Sequence, residues 1–151
     1  MRRAPGLVRR VVRVSRWTCP KCDREFGRAQ QSHVCVPGCT VEECLAPWPP
    51  AYREIYDRIT DHLATLGPLH ADAVRVGVFL KSDRKLAEVR PKARSLSLAL
   101  FLPRPVDHPR ISRRYPPSGD RTAHMIKLLD PDDVDEQLCA WLTESYDAAT
   151  E

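Results

Sequence analysis

The clearest pattern along this chain is a change of period. Tyr52, Ile55, Tyr56, Ile59, Leu63 and Leu66 recur at helical spacing and form one apolar stripe. Pro50 opens that segment and Gly67-Pro68 closes it, so the spacing predicts a helix between them. The period then drops to two. Val74, Val76, Val78 and Leu80 alternate with Arg75, Gly77, Phe79 and Lys81, which predicts a half-buried strand. Ser82-Asp83-Arg84 reads as a hairpin turn and Leu86–Arg90 as a short return strand. Leu96, Leu98, Leu100 and Leu102 alternate with Ser95, Ser97, Ala99 and Phe101, giving the sharpest strand pattern of the chain. Ile111–Tyr115 reads as an edge strand and Thr122–Leu128 as the last strand. Asp130 and Pro131 then open a terminal helix with Val134, Leu138, Trp141, Leu142 and Tyr146 on its buried face. Asp132, Asp133 and Asp135 fall in its first turn, where the helix dipole favours acids.

A helix, antiparallel strands and a second helix predict an α+β fold. The expected sheet has about four to five strands, packed by an N-terminal and a C-terminal helix. Trp48-Pro49-Pro50 marks a join. The expected organisation is a basic arm over 1–16, a small knuckle with a short helix over 17–47, and the α+β domain over 48–151. Thr40, followed by Glu43, is a capping-box pattern and places Cys44 on the short helix. No phosphate-binding glycine loop, GxSxG elbow, βαβ crossover or internal repeat is present.

Charge changes this picture at one end. The chain carries 24 Lys/Arg and 20 Asp/Glu, a net charge of +4. Residues 1–35 hold nine of those bases against two acids, so the remainder is net acidic. A basic arm beside a small cysteine-rich module is a plausible electrostatic footprint for nucleic acid. Arg9, Arg10 and Arg13 interrupt what would be the apolar core of a secretory signal. No apolar run is long enough to cross a bilayer. The expected setting is a reducing cytoplasm, where six cysteines read as metal ligands before disulfides.

The candidate chemistry lies in WTCPKCDREFGRAQQSHVC. Cys19 and Cys22 form a CxxC turn, and His33 and Cys35 follow as an HxC pair. Three thiolates and an imidazole at this spacing suit one tetrahedral structural Zn²⁺. Lys21 favours the thiolate form, and Phe26 can pack over the site as a miniature core. Metal binding would supply the folding energy of so short a segment. Cys39 is the expected substitute ligand, and Cys44 could also serve or be an ordinary buried residue.

These residues resemble a family of small bacterial proteins, the domain-of-unknown-function family 5655, with the zinc knuckle found beside that domain. The resemblance rests on Trp17, Cys19, Pro20, Cys22, Arg24, Phe26, Gln31, His33 and Cys35. It extends through Tyr56, Leu66-Gly67-Pro68, the two strongest strands, His124, Asp133, Trp141-Leu142 and Tyr146. Asp23 stands where that family usually has glycine. The resemblance implies the α+β fold and the zinc, and no reaction.

A second candidate site is a basic platform on the helix-free face of the sheet. Its expected anion-binding residues are Arg84, Arg94, Arg113, Arg114, Arg121 and His124. His124 is also the catalytic candidate, with no nucleophile–base pair evident beside it in the sequence. The leading expectation is a non-enzymatic zinc-binding module that holds DNA, RNA or another polyanion. The alternatives are an adaptor that docks a protein partner, with purely structural zinc, and an enzyme on a phosphorylated or nucleotide substrate that uses His124.

Overall fold

The computed structural model describes residues 16–150. The expected basic arm, apart from Arg16, lies outside the described residues. Two short strands, β1 (Trp17–Thr18) and β2 (Glu25–Phe26), pair antiparallel in the knuckle. Helix α1 (Val41–Leu45) follows, closed by the expected capping box: the Glu43 N–H donates to Thr40 Oγ1, and the Thr40 N–H to Glu43 Oε1. Helix α2 (Pro50–Ala64) starts with its proline in the first turn, where a missing N–H costs nothing.

The main sheet has six strands: β3 (His70–Val74), β4 (Gly77–Lys81), β5 (Lys85–Pro91), β6 (Leu96–Leu102), β7 (Ile111–Arg114) and β8 (Thr122–Leu128). Their spatial order is β3-β4-β5-β6-β8-β7, all antiparallel. The α+β class is as expected, but the sheet has one strand more than the upper expectation. The run from Val74 to Leu80 is not one strand. It is the inner half of a hairpin that turns at Arg75-Val76, where Val74 pairs with Gly77 and Val76 is exposed. A two-residue turn leaves the alternation of valines unbroken, so periodicity alone passes straight through it. Gly77 is required by close approach: a Cβ there would meet the Val89 carbonyl oxygen at 2.6 Å.

A 3₁₀ turn (Pro131–Asp133) precedes helix α3 (Glu136–Ala149). The predicted terminal helix is thus two pieces with two caps. Asp130 accepts from the Asp132 N–H, and Asp135 accepts from the Leu138 N–H at 3.0 Å. Helices α2 and α3 lie on one face of the sheet. Ile55, Ile59, Leu63, Leu138, Leu142 and Tyr146 join Val78, Leu80, Val89, Leu98, Leu100 and Ile126 in one core. Each strand therefore presents one set of alternate residues to the helices and the other to the opposite face.

The register defines that opposite face. Asp72, Phe79, Glu88, Ala99, Met125 and Arg113 form one row across all six strands. The neighbouring register set, Ala71, Leu80, Ala87, Leu100, His124 and Arg114, lies on the helix side. This placement corrects the expectation for His124. It is fully buried beside the core, not on the helix-free face, and its Nε2 accepts the Val106 N–H at 2.9 Å. Burial lowers its pKa, so the ring is kept neutral.

Candidate metal centre and its seat on the sheet

The knuckle brings four donor groups together. Cys19, Cys22, His33 and Cys35 have ligand atoms within 4.8 Å of one another and could hold a metal ion. Cys19 Sγ lies 3.8 Å from Cys35 Sγ, and His33 Nε2 lies 3.4 Å from the sulfurs of both Cys22 and Cys35. The turn is local. The Asp23 N–H donates to the Cys19 carbonyl and the Cys19 N–H to the Arg24 carbonyl. Asp23 occupies the left-handed region with φ 61°, a conformation that Asp tolerates better than most side chains.

Electrostatics and packing prepare the donors. Backbone N–H donation from Cys22, with further help from Lys21, pulls the Cys19 thiol down to about 6 despite the opposing effect of burial. His33 Nδ1 lies 2.6 Å from the Gln31 carbonyl. Donating there fixes the tautomer that leaves Nε2 free for a metal. Phe26 is buried and stacks on the His33 ring at a centroid distance of 4.0 Å, with Trp17 edge-on at 6.0 Å. Cys39, the expected substitute ligand, lies outside this cluster. Its N–H donates to the Ala73 carbonyl, which ties the segment after the knuckle to the edge strand β3. Cys44 is buried against the core.

The sequence gives no warning of how the knuckle is seated. Arg24 Nε donates to both oxygens of Asp72 on β3, at 3.2 and 3.1 Å. Lys81 Nζ on β4 reaches the same carboxylate at 3.0 Å and the Glu25 carbonyl at 3.3 Å. The side chains of all three residues are at most 8% exposed. Burial alone would raise the Asp72 pKa, but hydrogen bonds and charge from Arg24 and Lys81 hold it below the usual carboxylate range. Burial lowers the Lys81 pKa, with Asp72 opposing that shift. The Arg24 guanidinium also lies over both Phe26 and Phe79. Gly38 bridges Val74, and Arg16 donates to the Ser82 carbonyl. The knuckle therefore sits on the helix-free face at its β3–β4 end.

The expected anion-binding residues do not form one group. Arg113 is on the helix-free face, and Arg121 lies over the Phe101 ring there. Arg84 is at the same end of the sheet but is bidentate to Asp120 and donates to the Ala148 carbonyl. Arg114 pairs with Asp107 from the helix-side register set. Arg94 sits in the β5–β6 turn at the opposite end of the sheet. Arg90, which strand alternation could have flagged, and Lys85, which a β-bulge against Leu80-Lys81 brings round, join the face and both contact Glu88.

The molecule is thus an α+β domain with a Cys/His cluster seated on the open side of its sheet. The family model described as "Domain of unknown function (DUF5655)" matches residues 41–149, and the chain belongs to that family. That match begins after the knuckle. No curated protein and no solved structure matches the chain. Among the described residues, no helix is long and apolar enough to cross a membrane.

Proposed function

We propose that this protein is a structural-zinc protein that binds nucleic acid through electrostatic contact with phosphates. The ion assignment is supported by the donor set and its spacing. A tetrahedral Zn²⁺ with bonds of about 2.3 Å to sulfur and 2.0–2.1 Å to nitrogen requires donor separations of about 3.8 Å for S···S and 3.5 Å for S···N. The observed 3.8 and 3.4 Å fit both. Cys19, Cys22, His33 and Cys35 would fill all four positions and leave none open for substrate, which suits a structural ion.

One observation carries the binding role: the sheet face that the helices leave uncovered is rich in cations. Lys85 and Arg90 in the groove beside the knuckle, and Arg113, Arg121 and Lys127 beyond it, lie on or over that face, against Glu88. The N-terminal residues 1–15 add five more arginines and no acid. Phosphate neutralisation makes affinity fall with salt. With about four phosphates engaged, affinity for a single strand falls roughly 50-fold between 50 and 200 mM salt.

The test measures retention on heparin and on DNA and RNA over that salt range, for the full chain and for a deletion of residues 1–15. Tight low-salt binding that weakens steeply with salt, and weakens further without the arm, supports the proposal. No binding at low salt refutes it. Salt-insensitive capture of one defined protein would favour the adaptor instead.

A further inference from the structure

On the helix-free face the cations are interleaved with aromatic rings. Phe79 on β4 and Phe101 on β6 are both half-exposed. The Lys85 ammonium stands between them, 5.0 Å from one ring centroid and 5.2 Å from the other. The Arg121 guanidinium lies 5.1 Å from the Phe101 ring centroid. Past the end of β7, the Tyr115 N–H donates to the Ala123 carbonyl, and Ala123 pairs with Phe101. Tyr115 is 37% exposed and carries the Arg113 guanidinium at 4.7 Å. Phe79, Phe101 and Tyr115 thus mark a track that crosses the sheet from β4 to β7.

Small side chains lie along this track. Ala99, beside Phe101 on β6, and Ala123, opposite it on β8, are half-buried, and Met125 is the next residue of that face. At the Phe79 end, a groove of about 440 Å³ separates the knuckle from the sheet. Gln31, Ser32 and His33 line its knuckle side, and Phe79, Glu88 and Arg90 its sheet side. It offers amide, hydroxyl, carboxylate and guanidinium groups that can meet a base edge.

We infer that this track is a single-strand-specific site, in which bases stack on Phe101 and Tyr115 while Lys85, Arg90, Arg113 and Arg121 hold the phosphates. This inference rests on the nucleic-acid reading above and narrows it. The reason is the accessibility of base faces. A duplex hides them within its stack and shows phosphates and groove edges, so it has no use for rings on an open sheet. A single strand presents every base face, and a row of aromatic rings with nearby cations is the surface that uses them. Every base has a π-face, so the track is expected to be tolerant of sequence.

The test is fluorescence anisotropy at fixed salt with the full chain and three probes: a labelled mixed-sequence 20-nucleotide single strand, the same sequence as a duplex, and labelled heparin. Phe101→Ala and Tyr115→Ala should each weaken single-strand binding roughly 5- to 160-fold and leave heparin binding unchanged. A Tyr115→Trp variant guards against misfolding of the alanine variants. Its added emission should be quenched by the single strand and not by heparin. Equal binding of all three probes, unmoved by the ring variants, overturns the single-strand site and leaves polyanion binding standing. Tighter binding of the duplex also overturns it. Failure to bind any probe overturns both.

Discussion

Replacing Asp72 with alanine should release the knuckle from the sheet. The carboxylate is the shared partner of Arg24 and Lys81, and all three side chains are nearly dry. Without it, two buried cations face each other with no anion between them. Removing one partner of a buried pair costs about 3–5 kcal/mol when the remaining charge must stay in place. The chain can evade part of that cost by lifting the knuckle, which returns Arg24 and Lys81 to water. The observable loss is therefore the smaller of the desolvation penalty and the free energy of docking. Hydrogen exchange reads it directly at the Cys39 N–H, which is bonded to the Ala73 carbonyl in the docked form. A loss of about 3 kcal/mol raises its opening equilibrium by 100-fold or more. The control is Asp132→Ala, which breaks the exposed Arg58–Asp132 pair, whose side chains are 44% and 90% exposed. That change should cost under about 1 kcal/mol. If Asp72→Ala alters exchange at Cys39 no more than Asp132→Ala does, the buried carboxylate is not what seats the knuckle.

Three further outcomes are expected. Acidification should weaken docking in a defined window: because the folded Asp72 pKa is depressed, its contribution is present above the unfolded value of about 3.9 and is lost as pH falls through the folded value. An acid titration of Asp72→Asn should lack that component, and an unchanged profile would contradict the assignment. Cys19→Ser should abolish stoichiometric metal binding, measured by elemental analysis, while far-UV circular dichroism still reports the folded α+β domain. Ser145→Ala should cost about 1–3 kcal/mol in urea unfolding, because the fully buried hydroxyl shares its one proton between the Leu86 and Phe101 carbonyls at 2.8 and 2.6 Å. A cost near zero would mean that those carbonyls find other donors.

What could be read from the sequence was local. The stripe from Tyr52 to Leu63 and the leucine alternation from Leu96 to Leu102 state their own period, and both elements formed where expected. The four donors of the knuckle lie within one short segment, and that cluster assembles. The errors share a different cause. The strand His70–Val74 escaped notice because a two-residue turn preserves alternation, and because Asp72 interrupts its apolar set. Asp72 is polar there for a partner 48 residues earlier in the chain, a contact that no periodicity encodes. His124 misled for the converse reason. A polar residue between apolar neighbours reads as solvent-facing, yet its register partner is Leu100, and the β6–β7 loop supplies its hydrogen bond. The arginines scattered over 84–121 showed abundance without direction, and only the strand register sorts them onto faces.

The seating of the knuckle also sets an order of events during synthesis. All four donor residues have been made once Cys35 is added, but Lys81, half of the counter-surface, comes much later. At about 5–20 residues per second, the knuckle waits roughly 2–9 s for the β3–β4 hairpin that will receive it. For that interval its apolar surface is essentially Trp17 and Phe26 stacked about His33. With the four donors acting as the proposed metal site, the nascent chain would acquire its ion before it acquires its domain.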